Sequence, residues 1–367
     1  MQDIGRSKRA PQAFSLDHVA IVPSRRTRDN QDVDLSWQID AVKLDFPLIA
    51  APTDSSMSPD TAIEVGRLGG LGVLNLEGLW TRYEDPWPIF EQLARIADPV
   101  AATRRLQEVY SEPVKAELIT ARLAQLRASG QWAAGSLSPK NVLQFGHLVE
   151  ASAPDFFVVR GTLVSAEHVA SQGAPLDLKR FIRQLDLPVI VGGCANYHTA
   201  LHLMRAGAAG VLVGFGGGVR HATASVLGIE VPMATALADA AEARRDYLDE
   251  SGGRYVQVIA DGSIGGSGDI AKALACGADA VMVGAALARA DEAPGRGYHW
   301  GAEAWHPTLT RGWRSQVDQV GSLAQILTGP SCRADGSMNL VGALRQTLAS
   351  TGYTDVKAFQ RAELVIL

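Results

Sequence analysis

The amino-acid sequence predicts a (β/α)8 barrel, and three observations carry the prediction. Eight short apolar runs of β-branched character recur along the 367 residues, each closed by glycine or a small polar residue. A helix-like pattern follows each run. One corner also repeats: RAGAAGVLVG (205–214) and ACGADAVMVG (275–284) share the order helix end, glycine, strand, glycine, with RLGGLGVLN (67–75) as a looser third copy. Strands buried on both faces are apolar throughout, and strands alternating with helices make a parallel sheet. A doubly wound open sheet is the rival arrangement of the same elements. Glycine ends a helix in the left-handed conformation at low cost, so the repeat reads as one helix-to-strand corner used again, although any such corner shares part of the pattern.

In chain order the strands are PLIAAP (47–52), LGVLN (71–75), WAAGSLS (132–138), FFVVRGT (156–162), PVIVGG (188–193), GVLVG (210–214), YVQVIADG (255–262) and AVMVG (280–284). Helical segments between them include SPDTAIEVGRLG, NVLQFGHLVEAS, HTALHLMRAG, VPMATALADAAEARRDYLDE and SGDIAKALACG. Two regions exceed minimal units. Residues 81–130 predict two or three polar-faced helices inserted between the second and third strands, and 289–335, rich in Gly, Pro, Trp and His, predicts a lid or flap after the eighth. The whole, 1–367, reads as one barrel domain.

Composition narrows the partners. With 34 Lys and Arg against 39 Asp and Glu, a net charge of −5, nothing favours nucleic acid or an anionic membrane. No apolar run approaches the ~20 residues of a membrane span. Cys194, Cys276 and Cys332 are odd in number and widely spaced, which argues against a disulfide framework or zinc site and for the cytoplasm.

The strongest motif is VIADGSIGGSGDIAKALACGADAVMVGAALA (258–288). A carboxylate closing a strand, Asp261, precedes glycine turns at a helix start. Free N–H groups there suit a phosphate, and the carboxylate can accept two hydrogen bonds from a ribose diol. The simpler alternative is a helix cap and ordinary turns.

These residues, with DEAPG (291–295), closely resemble the nucleotide-binding segment of the IMP dehydrogenase and GMP reductase family. FSLDHVAIVPS (14–24), DVDLSW (32–37) and FPLIAAPTDSSMSP (46–59) are similar to that family's opening, VGFGGGVRHATASVLGIEVP (213–232) to its catalytic loop, and NLVGALRQTLASTGYTDVKAFQRAEL (339–364) to its C-terminal segment. The 81–130 insertion is too short for the cystathionine-β-synthase-type module found there in many relatives, so the chain resembles the short bacterial branch.

The resemblance implies a barrel, usually homotetrameric, that acts as an oxidoreductase on a purine 5′-monophosphate, IMP or GMP, with NAD or NADP. Asp261 would hold the ribose diol; Gly262, Ser263 and Gly284 would line the phosphate, with Ala285 where the family usually has serine. In the catalytic loop Gly216 and Gly218 fall on the pattern's glycines, where potassium would sit on the carbonyls. Val219 falls on its serine, His221 on its cysteine and Thr223 on its threonine. The thiolate nucleophile is absent, so the covalent step is in doubt; His221 can still act as a base or hydrogen-bond donor. Cys194, ending the fifth strand, is expected to face the site. Arg160 stands where dehydrogenases place an aspartate for the nicotinamide ribose; it either favours an additional phosphate or pairs with a neighbouring acid. Glu303, His299 and His306 are acid/base groups of the flap without a motif, and His198 and His202 lack a visible third metal ligand. The rival functions are a purine-nucleotide-binding regulatory barrel without turnover and an FMN-dependent barrel.

Overall fold

The computed structural model describes residues 2–171, 173–215 and 222–367. Eight parallel strands close a barrel: β1 Leu48–Ala50, β2 Leu71–Asn75, β3 Ala134–Leu137, β4 Phe156–Arg160, β5 Val189–Cys194, β6 Gly210–Val213, β7 Gln257–Asp261 and β8 Ala280–Val283. Each lies within the run expected for it or ends one residue beyond. Closure excludes the open sheet, since β8 pairs with β1, Val281 opposite Leu48, and β4 with β5, Val158 opposite Ile190.

Side chains alternate between two cores, as the two-residue period of a strand requires. Ile49, Val73, Phe156, Val158, Ile190, Leu212, Ile259 and Met282 fill the barrel interior. Phe157, Val159, Val191, Val211, Val258 and Val281 face the helices. A hairpin of Trp37–Ile39 and Val42–Leu44 joins the interior cluster. It seals the N-terminal end of the barrel, where the Trp37 Nε1 donates to the side chain of Gln257, the first residue of β7.

The repeated corner is real. Gly69, Gly207 and Gly277 have φ of 100°, 110° and 112°, so all three copies turn from helix to strand through a left-handed glycine. Helix starts are equally local. Ser58 caps Pro59–Arg67 by accepting from the Thr61 N–H, with proline at the first position, and Asn196 caps Tyr197–Ala206 through Thr199.

The insertion divides into two parts. Ala116–Ala128 packs between Pro59–Arg67 and Pro139–Ser152 as an ordinary ring helix, whereas Trp87–Arg95 and Pro99–Val109 are the addition. Their aromatic residues anchor the excursion after β8. Phe90 meets Trp300 with centroids 6.1 Å apart, and Tyr110 at the end of the second added helix stacks on Trp305 at 4.6 Å. The excursion also carries its own antiparallel pair, Tyr298–His299 with Ser315–Gln316. It is therefore a packed cover over the barrel mouth, tied down by a fully buried Trp300.

Candidate functional site at the barrel mouth

Strand parity decides which side chains reach the mouth. Phe156 and Val158 point inward along β4, so Arg160 does too; Ile259 points inward along β7, so Asp261 follows. Beyond Asp261 the chain turns sharply at Gly262, φ 119°, and Ser263, φ 57°. Gly214, φ 115°, lies so close that a Cβ there would stand 2.3 Å from the Asp261 carbonyl oxygen, so only glycine fits.

One cavity gathers most of the expected residues. Arg160, Asp261, Gly262, Ser263, Gly284 and Ala285 all line it, together with Thr53, His299, Gly301 and Glu303. Its volume is about 40 Å³, close to the space of one water molecule, whereas ligand pockets run to ~300–1,000 Å³. The Arg160 side chain reaches across it to Asp261. Its Nε donates to Asp261 Oδ2 at 2.9 Å and its Nη2 to Oδ1 at 3.3 Å, a two-pronged pair with both side chains largely buried. Burial disfavours the Arg160 charge, but Asp261 and then Glu303 outweigh it and hold the guanidinium above its ordinary pKa. Of the two readings open for Arg160, pairing with an acid is the one observed, and the acid is Asp261, the residue expected to hold a ribose diol.

His299 covers the other wall. It is buried, its Nδ1 lies 2.9 Å from Ser55 Oγ, and a Cβ built on Gly284 would lie 3.7 Å from its Cε1. Ser55 also accepts from the Trp300 N–H at 3.2 Å, so the loop after β1 holds the excursion in place. Next to it Asp54 is fully buried, and burial raises its pKa to about 6 against hydrogen bonds from Tyr110 and the Leu79 N–H. Tyr110 donates to Asp54 at 2.6 Å and accepts from Trp300 Nε1 at 3.0 Å, linking excursion, insertion and barrel loop.

The glycine turn before Ser267–Ala275 is not open to a ligand. The Gly265 and Gly266 N–H groups donate to Asp269 Oδ2 at 2.9 and 3.2 Å, an internal cap, while Gly262, Ser263 and Gly284 line the cavity.

Two further residues, Cys194 and Thr223, lie outside the cavity wall. Cys194 does not line the cavity: the register of β5 against β6 shifts between Gly192 and Cys194, and the side chain joins the outer core. Its thiol hydrogen-bonds the Leu212 carbonyl at 3.4 Å and is pushed up to about 12 by burial. Thr223 begins the short helix Thr223–Leu227 and is buried outside the cavity wall. Gly216, Gly218 and His221 lie outside the described residues. Among the described residues, no group of three or more His, Cys, Asp or Glu is placed to hold a metal ion, and no helix is long and apolar enough to cross a membrane. In the sequence His299 and Glu303 belong to no motif, and nothing in their spacing places them opposite Gly284 and Arg160.

Comparison with known proteins agrees with this fold. The profile of the family described as IMP dehydrogenase / GMP reductase domain matches residues 114–366. An uncharacterized oxidoreductase of Mycolicibacterium smegmatis is 51% identical over the full length of both chains. An inosine-5′-monophosphate dehydrogenase of Methanocaldococcus jannaschii is 26% identical, over 78% of this chain and 74% of that protein. A crystal structure of an IMP dehydrogenase/GMP reductase-like protein from Corynebacterium glutamicum superposes with a TM-score of 0.95 at 48% identity, over 100% of this chain and 97% of that one. With the closed barrel and these matches, the chain belongs to the IMP dehydrogenase/GMP reductase family of oxidoreductases, in its short form.

Proposed function

We propose that the chain binds a purine nucleoside 5′-monophosphate, IMP or GMP, at the barrel mouth, and that it does so as an NAD(P)-linked oxidoreductase of purine metabolism. The observation that carries the reading is the convergence of Asp261 with Gly262, Ser263 and Gly284 on one wall. A carboxylate suits two vicinal hydroxyls, and the turn after it suits a phosphate. Ala285 supplies no hydroxyl, which weakens phosphate binding by about 0.5–1.5 kcal/mol relative to a serine.

A nicotinamide, when bound, takes up or gives a hydride. Arg160, the residue placed on the cofactor side, turns its guanidinium to Asp261 and does not offer it to a cofactor phosphate in this arrangement. The side chains of the mouth bind and orient: Asp261 accepts from the ribose, and His299, steadied by Ser55, closes the site against water. Potassium on the loop carbonyls of Gly216 and Gly218 and a homotetrameric assembly belong to the same proposal.

A second reading, nucleotide binding without turnover, is favoured by the thiol inventory. Residues 214–225 contain no cysteine, and Cys194 is buried as an unreactive thiol. Titration calorimetry with IMP and GMP, paired with NAD(H) and NADP(H) turnover assays, separates the two. Turnover supports the oxidoreductase, tight binding without turnover supports the silent barrel, and no binding of either nucleotide overturns both.

A further inference from the structure

We infer that Arg160 is a built-in competitor for Asp261: its guanidinium occupies the diol-binding carboxylate until a ligand arrives, then transfers to Glu303. The inference rests on the nucleotide reading above and adds to it the residues that set affinity and selectivity. The contact spans the mouth, since β4 and β7 are separated by β5 and β6, and both carboxylate oxygens of Asp261 accept from Arg160. A ribose diol and this guanidinium therefore compete for the same two oxygens of Asp261.

Arginine cannot shed its charge, and a buried charge left without a partner is strongly unfavourable. Opening the pair thus requires a second anion within reach. Glu303 is that anion: it lines the same cavity and already acts on the Arg160 charge. Its carboxylate is folded against Gly301, where a Cβ would stand 2.7 Å from Oε2, so a side chain at 301 would displace it. Glu303 belongs to the cover over the mouth, and the transfer couples diol binding to the seating of that cover. The ligand class follows. A vicinal diol gives Asp261 two donors in exchange for those it loses, whereas a ligand without one cannot displace Arg160.

The test is calorimetric titration of IMP and of its 2′,3′-dideoxy analogue into the full chain and its variants. Arg160→Gln is expected to tighten IMP by about tenfold or more, the scale of one charge-assisted hydrogen bond, and the wild type is expected to bind the dideoxy analogue more weakly than IMP. Glu303→Gln is expected to weaken IMP by a similar factor with Arg160 in place. Weaker IMP binding by Arg160→Gln than by the wild type overturns the inference, because Arg160 would then contact the nucleotide, while the nucleotide reading stands. An unaltered affinity in Glu303→Gln overturns the transfer. Should Arg160→Gln fail to fold, as a thermal melt would show, Glu303→Gln decides alone. IMP binding by neither the wild type nor Arg160→Gln overturns the nucleotide reading itself.

Discussion

Arg160 at the end of β4 grips Asp261 at the end of β7 through two hydrogen bonds, 2.9 and 3.3 Å long, across the mouth of the barrel. The pair joins residues 101 positions apart, and it links the strand expected to meet a cofactor with the strand expected to meet a nucleotide.

Removing either partner alone leaves a buried charge. Arg160→Ala or Asp261→Ala is expected to destabilise the fold by about 3–5 kcal/mol, less to the extent that Glu303 takes over, whereas the double change should cost much less than the sum. Urea unfolding of the four proteins in a double-mutant cycle checks this; additive losses would mean the pair is not coupled.

Asp54 makes stability depend on pH. Its folded pKa, raised to about 6 by burial, exceeds the ordinary 3.8, so between these values the folded state binds more protons than the unfolded one. Its contribution therefore falls as pH rises from about 4 to 6 and levels off above. The full effect is about 3 kcal/mol by linkage. Asp54→Asn, compared with the wild type by chemical denaturation at pH 4.5, 5.5 and 7, should gain relative stability as pH rises. An equal difference at every pH contradicts the assignment.

Trp300 should report the anchoring of the cover. Trp300→Phe keeps most of the ring packing but loses the bond to Tyr110, which is expected to cost about 1 kcal/mol, while Trp300→Ala should cost about 3–5 kcal/mol. Hydrogen exchange over 298–316 should rise in the alanine variant. Exchange no faster than in the wild type would mean that other contacts hold the cover.

Thiol labelling separates the cysteines. In the native protein iodoacetamide should modify exposed Cys332 and leave Cys194, buried with its pKa pushed up to about 12, untouched until unfolding. Rapid modification of native Cys194 would return it to the list of candidate nucleophiles.

Much of the fold was legible because parallel strands buried on both faces leave an unmistakable apolar signature. The left-handed glycines at 69, 207 and 277 mark its corners. What escaped has physical reasons. The Gly192/Cys194 register shift sends Cys194 to the outer core, and a glycine pair in a strand announces irregularity without saying which face follows. The inward aim of Arg160 follows from parity, but its choice of Asp261 depends on barrel closure. His299 and Glu303 come from a stretch with no periodicity, where only tertiary packing on Phe90 and Tyr110 sets position.

The central claim, that Asp261 is the nucleotide-binding carboxylate, is met most directly by titrating IMP into the Arg160→Gln/Asp261→Ala double variant beside the Arg160→Gln single variant. Neither Asp261 nor Arg160 then leaves an unpaired charge in the double variant, so lost binding is not an artefact of a stranded guanidinium. The account predicts measurable affinity in the single variant and a loss of about a hundredfold or more, two charge-assisted hydrogen bonds, in the double one. Equal affinity in the two would place the nucleotide elsewhere and contradict it.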